Sequence, residues 1–270
     1  MPYMELSEDF KPYYEIHDCT DPWKPAETVL FVHGFTENTT CWRGWIPHLA
    51  RNYRLLLLDL RGFGKTGPVA ESFKFSTELV VDDLVRVINH LAGGPVHVVA
   101  GKSGCISVMR LAATRPDLVK SLTLACPPLS SPGNSDWVPY MAEHGMRDWA
   151  RATMPARLGR DTDPRCIDWW VDMMGATALS TARAYLRWVV TTEPRLDLPK
   201  ISCPALVILT TLSQETNAVG GGQLGPEVVR HDAPHAEVLV LDMDCYHASG
   251  SDPDTCAQAA RKFLDGLRAS

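Results

Sequence analysis

The stretch VVAGKSGCISV, residues 98–108, decides the fold. It starts with a short β-branched run and continues into an apolar-periodic run that ends before Pro116. Small residues separate the two runs, so the pattern predicts a buried strand that turns sharply into a helix. A strained and crowded turn of this kind favours small residues around its apex.

Ser103 is the candidate nucleophile at this turn. Its hydroxyl would stand above the sheet edge, and the first N–H groups of the following helix have no intrahelical partner. Such groups can bind a developing oxyanion. The pattern is close to G-x-S-x-G, with Cys105 in place of the last glycine. An ordinary serine at a strand–helix junction is the alternative interpretation.

Gly101-Lys102-Ser103 also looks like the end of a phosphate-binding loop. That motif needs a glycine five positions before the one that precedes the lysine, and position 96 is valine. The sequence therefore argues against a nucleotide site.

The same alternation of short apolar runs and longer amphipathic runs extends over most of the chain. It predicts an α/β fold with a mostly parallel sheet covered by helices on both faces. The predicted helices include 76–91, with Ser76 as its N-cap, and a last helix that ends near Leu267. The predicted strands are Val29–His33, Tyr53–Asp59, Val96–Ala100, Val119–Ala125, Ala205–Thr210 and Val238–Asp242.

Residues 127–199 interrupt this alternation. They contain no convincing strand but hold five of the eight Trp and five of the nine Met. Helices are predicted from Asp163-Pro164 through Met174 and from Ser180 through Val190. We therefore expect a core formed by residues 1–126 and 200–270, with 127–199 as a helical lid segment.

Four motifs, in order, resemble those of the α/β-hydrolase superfamily of the serine type. They are HGF at 33–35, DLRGFGKTG at 59–67, the serine turn, and His247 in MDCYHASGSDP. The resemblance covers nearly the whole chain and implies the α/β-hydrolase fold, with the lid inserted after the sixth strand. It implies Ser103 as nucleophile and His247 as general base. It further implies the N–H groups of Phe35 and Gly104 as the oxyanion hole, and His33 as a structural anchor.

The third member of the implied triad is where this sequence departs from the family. The acid of the family usually follows the strand that corresponds to ALVILT in this chain. Ser213 stands here at the position of the family's Asp. Some members carry it after the preceding strand, where this chain reads Ala-Cys-Pro-Pro. We predict Glu215 as the acid. Asp242 or Asp244, a dyad without an acid, or an unusual partner of His247 remain alternatives. Loss of the acid can cost about 10⁴ in turnover.

The aromatic lid favours an apolar or aromatic substrate, with Trp137, Trp169 and Cys126 as candidate contacts. The first hypothesis is a hydrolase that cleaves a small ester, lactone or related acyl compound through an acyl-serine. The second is a non-hydrolytic enzyme of the same fold: a C–C hydrolase, a lyase or a cofactor-free dioxygenase. The dioxygenases place a second histidine just after the oxyanion loop, where this chain reads Phe-Thr-Glu-Asn. The third hypothesis is a non-catalytic binder of small molecules.

Composition excludes other classes. The 26 Lys and Arg against 32 Asp and Glu argue against a nucleic-acid partner and against a polybasic membrane surface. No apolar run is long enough for a membrane span, and the start MPYMELSEDF lacks the pattern of a signal peptide.

We therefore expect a cytoplasmic protein in which the eight cysteines are free thiols. No cysteine or histidine spacing predicts a metal site, and neither a metal nor a cofactor is expected. The expected partner is a small-molecule substrate, and the sequence leaves the oligomeric state open.

Overall fold

Buried apolar strands set the architecture. The computed structural model describes residues 3–6, 9–131, 136–212 and 225–269. Seven strands form one sheet in the order β1-β3-β2-β4-β5-β6-β7. The strands are β1 Tyr14–His17, β2 Thr28–Val32, β3 Arg54–Leu58, β4 Val96–Gly101, β5 Val119–Ala125, β6 Ala205–Thr210 and β7 Glu237–Leu241.

Six of the strands are parallel, and β1 alone pairs antiparallel, against β3. Every residue of β2, β4 and β6 is buried, because helices cover both faces of the sheet. Their continuous Val, Leu and Ile runs fit such a position. The predicted α/β fold with a mostly parallel sheet is confirmed.

Helices connect the strands, and the predicted N-cap Ser76 and the predicted helix start at Asp163 are confirmed. The Ser76 hydroxyl accepts a hydrogen bond from the Leu79 N–H, and the Asp163 carboxylate accepts one from the Arg165 N–H. The α-helices are α1 Ile46–Leu49, α2 Thr77–Val87, α3 Gly104–Thr114, α4 Trp137–Leu158, α5 Pro164–Gly175, α6 Leu179–Val189, α7 Pro226–Asp232, α8 Ala248–Ser251 and α9 Pro253–Ala269.

Helices α4, α5 and α6 occupy the stretch between β5 and β6. The preceding strand, Val119–Ala125, is the fifth described strand in chain order. The helical segment therefore follows the fifth strand and not the sixth, as the resemblance implied. Helix α4 is broken at Gly145, whose φ of 85° is easy for glycine. The division into a core and a lid segment stays a prediction, although the helical content of 137–189 agrees with it.

The loops after β2 and β3 are tied together by buried polar groups. The Asp59 carboxylate accepts hydrogen bonds from the Thr39 N–H at 2.6 Å and from the Lys65 N–H at 2.7 Å. His33 accepts one from the Leu60 N–H through Nε2 at 3.0 Å. His33 is therefore a structural anchor, as expected, and these loops are held at the carboxyl edge of the sheet.

The described helices include none that is both long and apolar enough to cross a membrane. Helix α4 is the longest, and it carries charged residues throughout.

We expect Asp59→Asn to lower the free energy of unfolding by about 1–3 kcal/mol. The new amide nitrogen would face a backbone N–H and leave a buried donor without an acceptor. Urea denaturation measures this loss, with the exposed Asp161→Asn as the matched control. Equal stability of the two variants would contradict the structural role of Asp59.

Candidate active site

The sharp turn between β4 and α3 has Lys102 at its apex. Lys102 has φ of 52°, in the left-handed region that side-chain-bearing residues rarely adopt. Ser103 has φ of −67° and ψ of −16° and precedes the first residue of α3. The strained position that the sequence predicts for Ser103 therefore belongs to Lys102. In this fold, that position carries the nucleophile.

Gly104 explains the shift by one residue. A Cβ at Gly104 would lie 2.4 Å from the His33 carbonyl oxygen, so only glycine fits there. The obligatory second glycine of the motif is thus Gly104, and the residue two before it is Lys102. The prediction instead took Gly101 and Ser103 and accepted Cys105 as a substitute for glycine. In the sequence, the glycine at position 104 was the signal that could have identified Lys102 as the apex, because the apex lies two residues before this glycine.

Two hydrogen-bond donors converge on Ser103. Its Oγ accepts from the Phe35 N–H at 2.9 Å and from the Tyr185 hydroxyl at 3.0 Å. Burial raises the pKa of Tyr185, which keeps this hydroxyl protonated and able to donate. The predicted oxyanion donor Phe35 thus faces the turn. With Lys102 at the apex, the partner N–H that follows it is that of Ser103 rather than Gly104.

Lys102 reaches toward the loop that carries His247. Its Nζ donates to the Tyr246 carbonyl oxygen at 2.8 Å and lies 4.1 Å from the centre of the Tyr246 ring. Burial lowers the pKa of Lys102 to about 8, and the nearby positive charge of Arg157 acts in the same direction. A larger fraction of this amine is neutral near pH 8 than for an exposed lysine.

His247 is paired with Glu37. Its Nε2 lies 2.6 Å from Glu37 Oε1, and both side chains are almost fully buried. Burial opposes ionisation of Glu37, but the His247 ring and the Gly34 N–H, at 3.0 Å, outweigh it and lower the pKa to about 2. The carboxylate is therefore ionised, and His247 Nε2 carries the proton. The other ring nitrogen, Nδ1, lies 3.4 Å from Ser249 Oγ.

None of the predicted acids is the described partner of His247. Glu215 lies outside the described residues. Asp242 faces Thr211, and Asp244 faces Arg160. Glu37 is not among the predicted acids, because the resemblance places the acid after a later strand of the sheet. Among the described contacts, no hydrogen bond joins Ser103 to His247, although the predicted proton transfer between them would need one.

The three predicted substrate contacts lie in different surroundings. Trp137 stacks parallel to Phe35, with ring centres 6.5 Å apart, and is partly buried. Trp169 packs against Trp170 and the Arg43 guanidinium. Cys126 is fully buried, with φ of 49°. Trp137 thus lies beside Phe35, whose N–H donates to Ser103, whereas the described contacts of Trp169 do not include the turn.

A cavity of ≈ 250 Å³ lies beside Glu37, between the loops after β2 and β3 and the lid segment. Its wall includes Glu37, Asp59, Lys65, Met173 and Thr177. In the described part of the chain, no group of three or more His, Cys, Asp or Glu side chains is arranged to hold a metal ion.

A family model described as the alpha/beta hydrolase fold matches residues 27–159. The solved structures agree over almost the whole chain. The enol-lactonase from Burkholderia xenovorans LB400 superposes with a TM-score of 0.83 at 19% identity, covering 98% of this chain and 100% of that one. The chain has the α/β-hydrolase fold.

Further proteins are similar to this chain over different extents. An esterase from Exiguobacterium antarcticum has a TM-score of 0.83 at 14% identity, covering 97% of this chain and 98% of that one. "Probable lysophospholipase BODYGUARD 4" from Arabidopsis thaliana is 37% identical over 108 residues. That match covers 39% of this chain and only 26% of the relative. The structural likeness shows the fold, and the sequence likeness is limited to part of each chain.

We expect Glu37→Gln to lower the free energy of unfolding at pH 7 by up to roughly 3 kcal/mol. The folded-state pKa of Glu37, about 2, lies below its ordinary value of 4.5. Its stabilising contribution is therefore complete above pH 4.5 and is lost as the pH falls toward 2. Chemical denaturation of both proteins between pH 7 and pH 3 should show the difference shrinking with acidification.

The matched control is Glu193→Gln, which changes an exposed glutamate that has no described ion pair. A pH-independent difference between wild type and Glu37→Gln would contradict the ionised Glu37–His247 pair.

Proposed function

We propose that this protein hydrolyses a small ester or lactone that has an apolar or aromatic group. The observation that carries the proposal is the convergence of the Phe35 N–H and the Tyr185 hydroxyl on one oxygen atom beside the elbow. An enol-lactonase, an esterase and a probable lysophospholipase are among the similar proteins, which supports the same reaction class.

Ser103 Oγ occupies the position of an oxyanion between these donors. A substrate carbonyl oxygen that displaces this hydroxyl would receive both hydrogen bonds as negative charge develops on it. The surroundings are apolar, because the Phe35 ring lies 5.6 Å from Trp149 and 5.2 Å from Tyr185. Exclusion of water by these rings strengthens the two hydrogen bonds.

Lys102 is the proposed general base. The amine lies at the apex of the turn, and its lowered pKa of about 8 makes the neutral form accessible near neutral pH. His247 fits this role less well, because Nε2–H is donated to the ionised Glu37 and Nδ1 faces Ser249. We propose that the Glu37–His247 pair instead positions the loop that holds Lys102 through the Tyr246 carbonyl.

Lys102 could deprotonate either of two nucleophiles that accept the acyl group. One is the Ser103 hydroxyl, in the acyl-serine route that the sequence predicts, with Lys102 replacing His247 as in Ser-Lys variants of the triad. The other is water, with Ser103 only filling the oxyanion position in the empty enzyme. The two donors on Ser103 Oγ favour the second route, because both of its lone pairs are engaged. Treatment with a fluorophosphonate distinguishes them, since labelling of Ser103 supports the first.

We expect hydrolysis of phenyl acetate or dihydrocoumarin to rise about tenfold per pH unit below pH 8 and to level off above it. The reason is that only the neutral Lys102 amine accepts a proton. Lys102→Met should abolish this activity, and initial rates between pH 6 and pH 10 measure both effects. A folded wild-type protein that hydrolyses neither substrate would overturn the proposed function.

We expect Tyr185→Phe to lower kcat by roughly 10²-fold with a smaller change in KM, because the lost hydrogen bond strengthens in the transition state. Tyr140→Phe, at an exposed tyrosine of α4, is the matched control and should keep wild-type kinetics. Equal kcat for the Tyr185 variant and wild type would remove Tyr185 from the oxyanion site.

A further inference from the structure

We propose that Lys102 is also a nucleophilic amine, which forms an imine with aldehydes or ketones that carry a carboxylate, and that Arg157 binds the carboxylate. This inference uses the same site as the proposed function but does not depend on ester hydrolysis. It assigns a second substrate class, oxo acids, to the elbow.

The position of Lys102 is the first reason. Its backbone holds the left-handed conformation that this fold reserves for its covalent nucleophile. Attack of an amine on an ester would leave a stable amide and stop turnover. Attack on an aldehyde or ketone is reversible, so a lysine at the apex suits a carbonyl compound without a leaving group.

The environment of the Lys102 amine is the second reason. A lysine becomes a nucleophile where it is desolvated or lies beside another cation. Lys102 has both features, since Arg157 faces the same ring: the Arg157 Cζ lies 5.5 Å, and Lys102 Nζ 4.1 Å, from the centre of Tyr246. Burial and this neighbouring charge account for its pKa of about 8.

Arg157 is the third reason. It is 4% exposed and lies among the faces of Trp137, Trp149 and Tyr246, with Cζ 5.1 Å from the Trp149 ring centre. Its Nε donates to Thr153 Oγ1 at 3.0 Å, and no carboxylate of the described residues forms an ion pair with it. A buried charge without a counter-ion is costly. A substrate carboxylate would supply that counter-ion through a charge-assisted hydrogen bond.

The backbone of Arg157 is also hydrogen-bonded to the loop that carries His247. Its carbonyl oxygen accepts a hydrogen bond from the His247 N–H at 3.1 Å, and the neighbouring Ala156 carbonyl accepts one from the Tyr246 N–H at 3.1 Å. The end of α4 therefore holds the carboxylate-binding group at a set place relative to the Tyr246 carbonyl, where Lys102 Nζ is bound.

The chemical step balances without an oxidant or reductant. The Nζ lone pair attacks the carbonyl carbon, and the C=O pair moves to oxygen, where Tyr185 and the Phe35 N–H stabilise the charge. Proton transfer from nitrogen to oxygen gives a carbinolamine. Loss of its hydroxyl group with the remaining N–H proton releases one water and leaves the imine. Hydrolysis reverses these steps and restores the amine.

The experiment is reductive trapping with 4-oxopentanoate and sodium cyanoborohydride, followed by peptide mass spectrometry. We expect Lys102 to be alkylated about tenfold or more faster than the exposed Lys24. A larger fraction of the Lys102 amine is neutral, and Arg157 binds the carboxylate of 4-oxopentanoate beside it. Lys102→Arg, which keeps the charge but forms no imine under these conditions, should lose this labelling while Lys24 labelling is unchanged.

Arg157→Met and the uncharged ketone 2-pentanone separate the two parts of the proposal. The variant should trap 4-oxopentanoate about tenfold more slowly at Lys102 and 2-pentanone at the wild-type rate. If Lys102 is labelled no faster than Lys24, the imine is overturned. If the folded Arg157 variant traps 4-oxopentanoate as fast as wild type does, the proposed carboxylate site is overturned. Ester hydrolysis without trapping would refute this inference alone, whereas trapping without hydrolysis would refute only the proposed function.

Discussion

The close approach of Gly104 to the end of β2 is the constraint on which the site depends. With only 2.4 Å from a would-be Cβ to the His33 carbonyl oxygen, α3 must begin at a glycine. The chain then leaves β4 through a left-handed residue, and this residue is Lys102. The same approach brings Ser103 Oγ within 2.9 Å of the Phe35 N–H. Sheet packing thus determines which residue stands at the apex and brings the Phe35 N–H to Ser103 Oγ.

The charges around the elbow are organised in two groups with different consequences. Glu37 and His247 form a buried pair, so the carboxylate stays ionised despite its burial. Lys102 and Arg157 are two cations over one tyrosine ring, and their mutual repulsion adds to burial in lowering the pKa of the lysine. In the first group, the two side chains are hydrogen-bonded to each other. The other lacks a described carboxylate partner, which is why it is the side on which an anionic substrate would be stabilised.

The sequence predicted correctly those features that depend on interactions between neighbouring residues in the chain. Continuous apolar runs placed the buried strands, and Ser76 and Asp163 marked the starts of α2 and α5, because capping uses neighbours in the chain. The resemblance placed Phe35 at the turn and His33 as an anchor. The elbow was misassigned by one residue, since the prediction gave more weight to a serine than to the glycine that crowding requires. Register at a strained turn depends on the neighbouring strand, which the local pattern does not contain.

The sequence by itself determined a mostly parallel α/β sheet, a helical segment between β5 and β6, and a sharp turn after β4. Each of these follows from periodicity, turn chemistry or a short motif. Only the tertiary structure decided that Lys102 is the apex, that Glu37 is the partner of His247, and that the Tyr185 hydroxyl donates to Ser103 Oγ. Glu37 and His247 are 210 positions apart, and Ser103 and Tyr185 are 82 apart. Such pairs are formed by the packing of the lid segment and loops over the sheet edge, which no local pattern encodes.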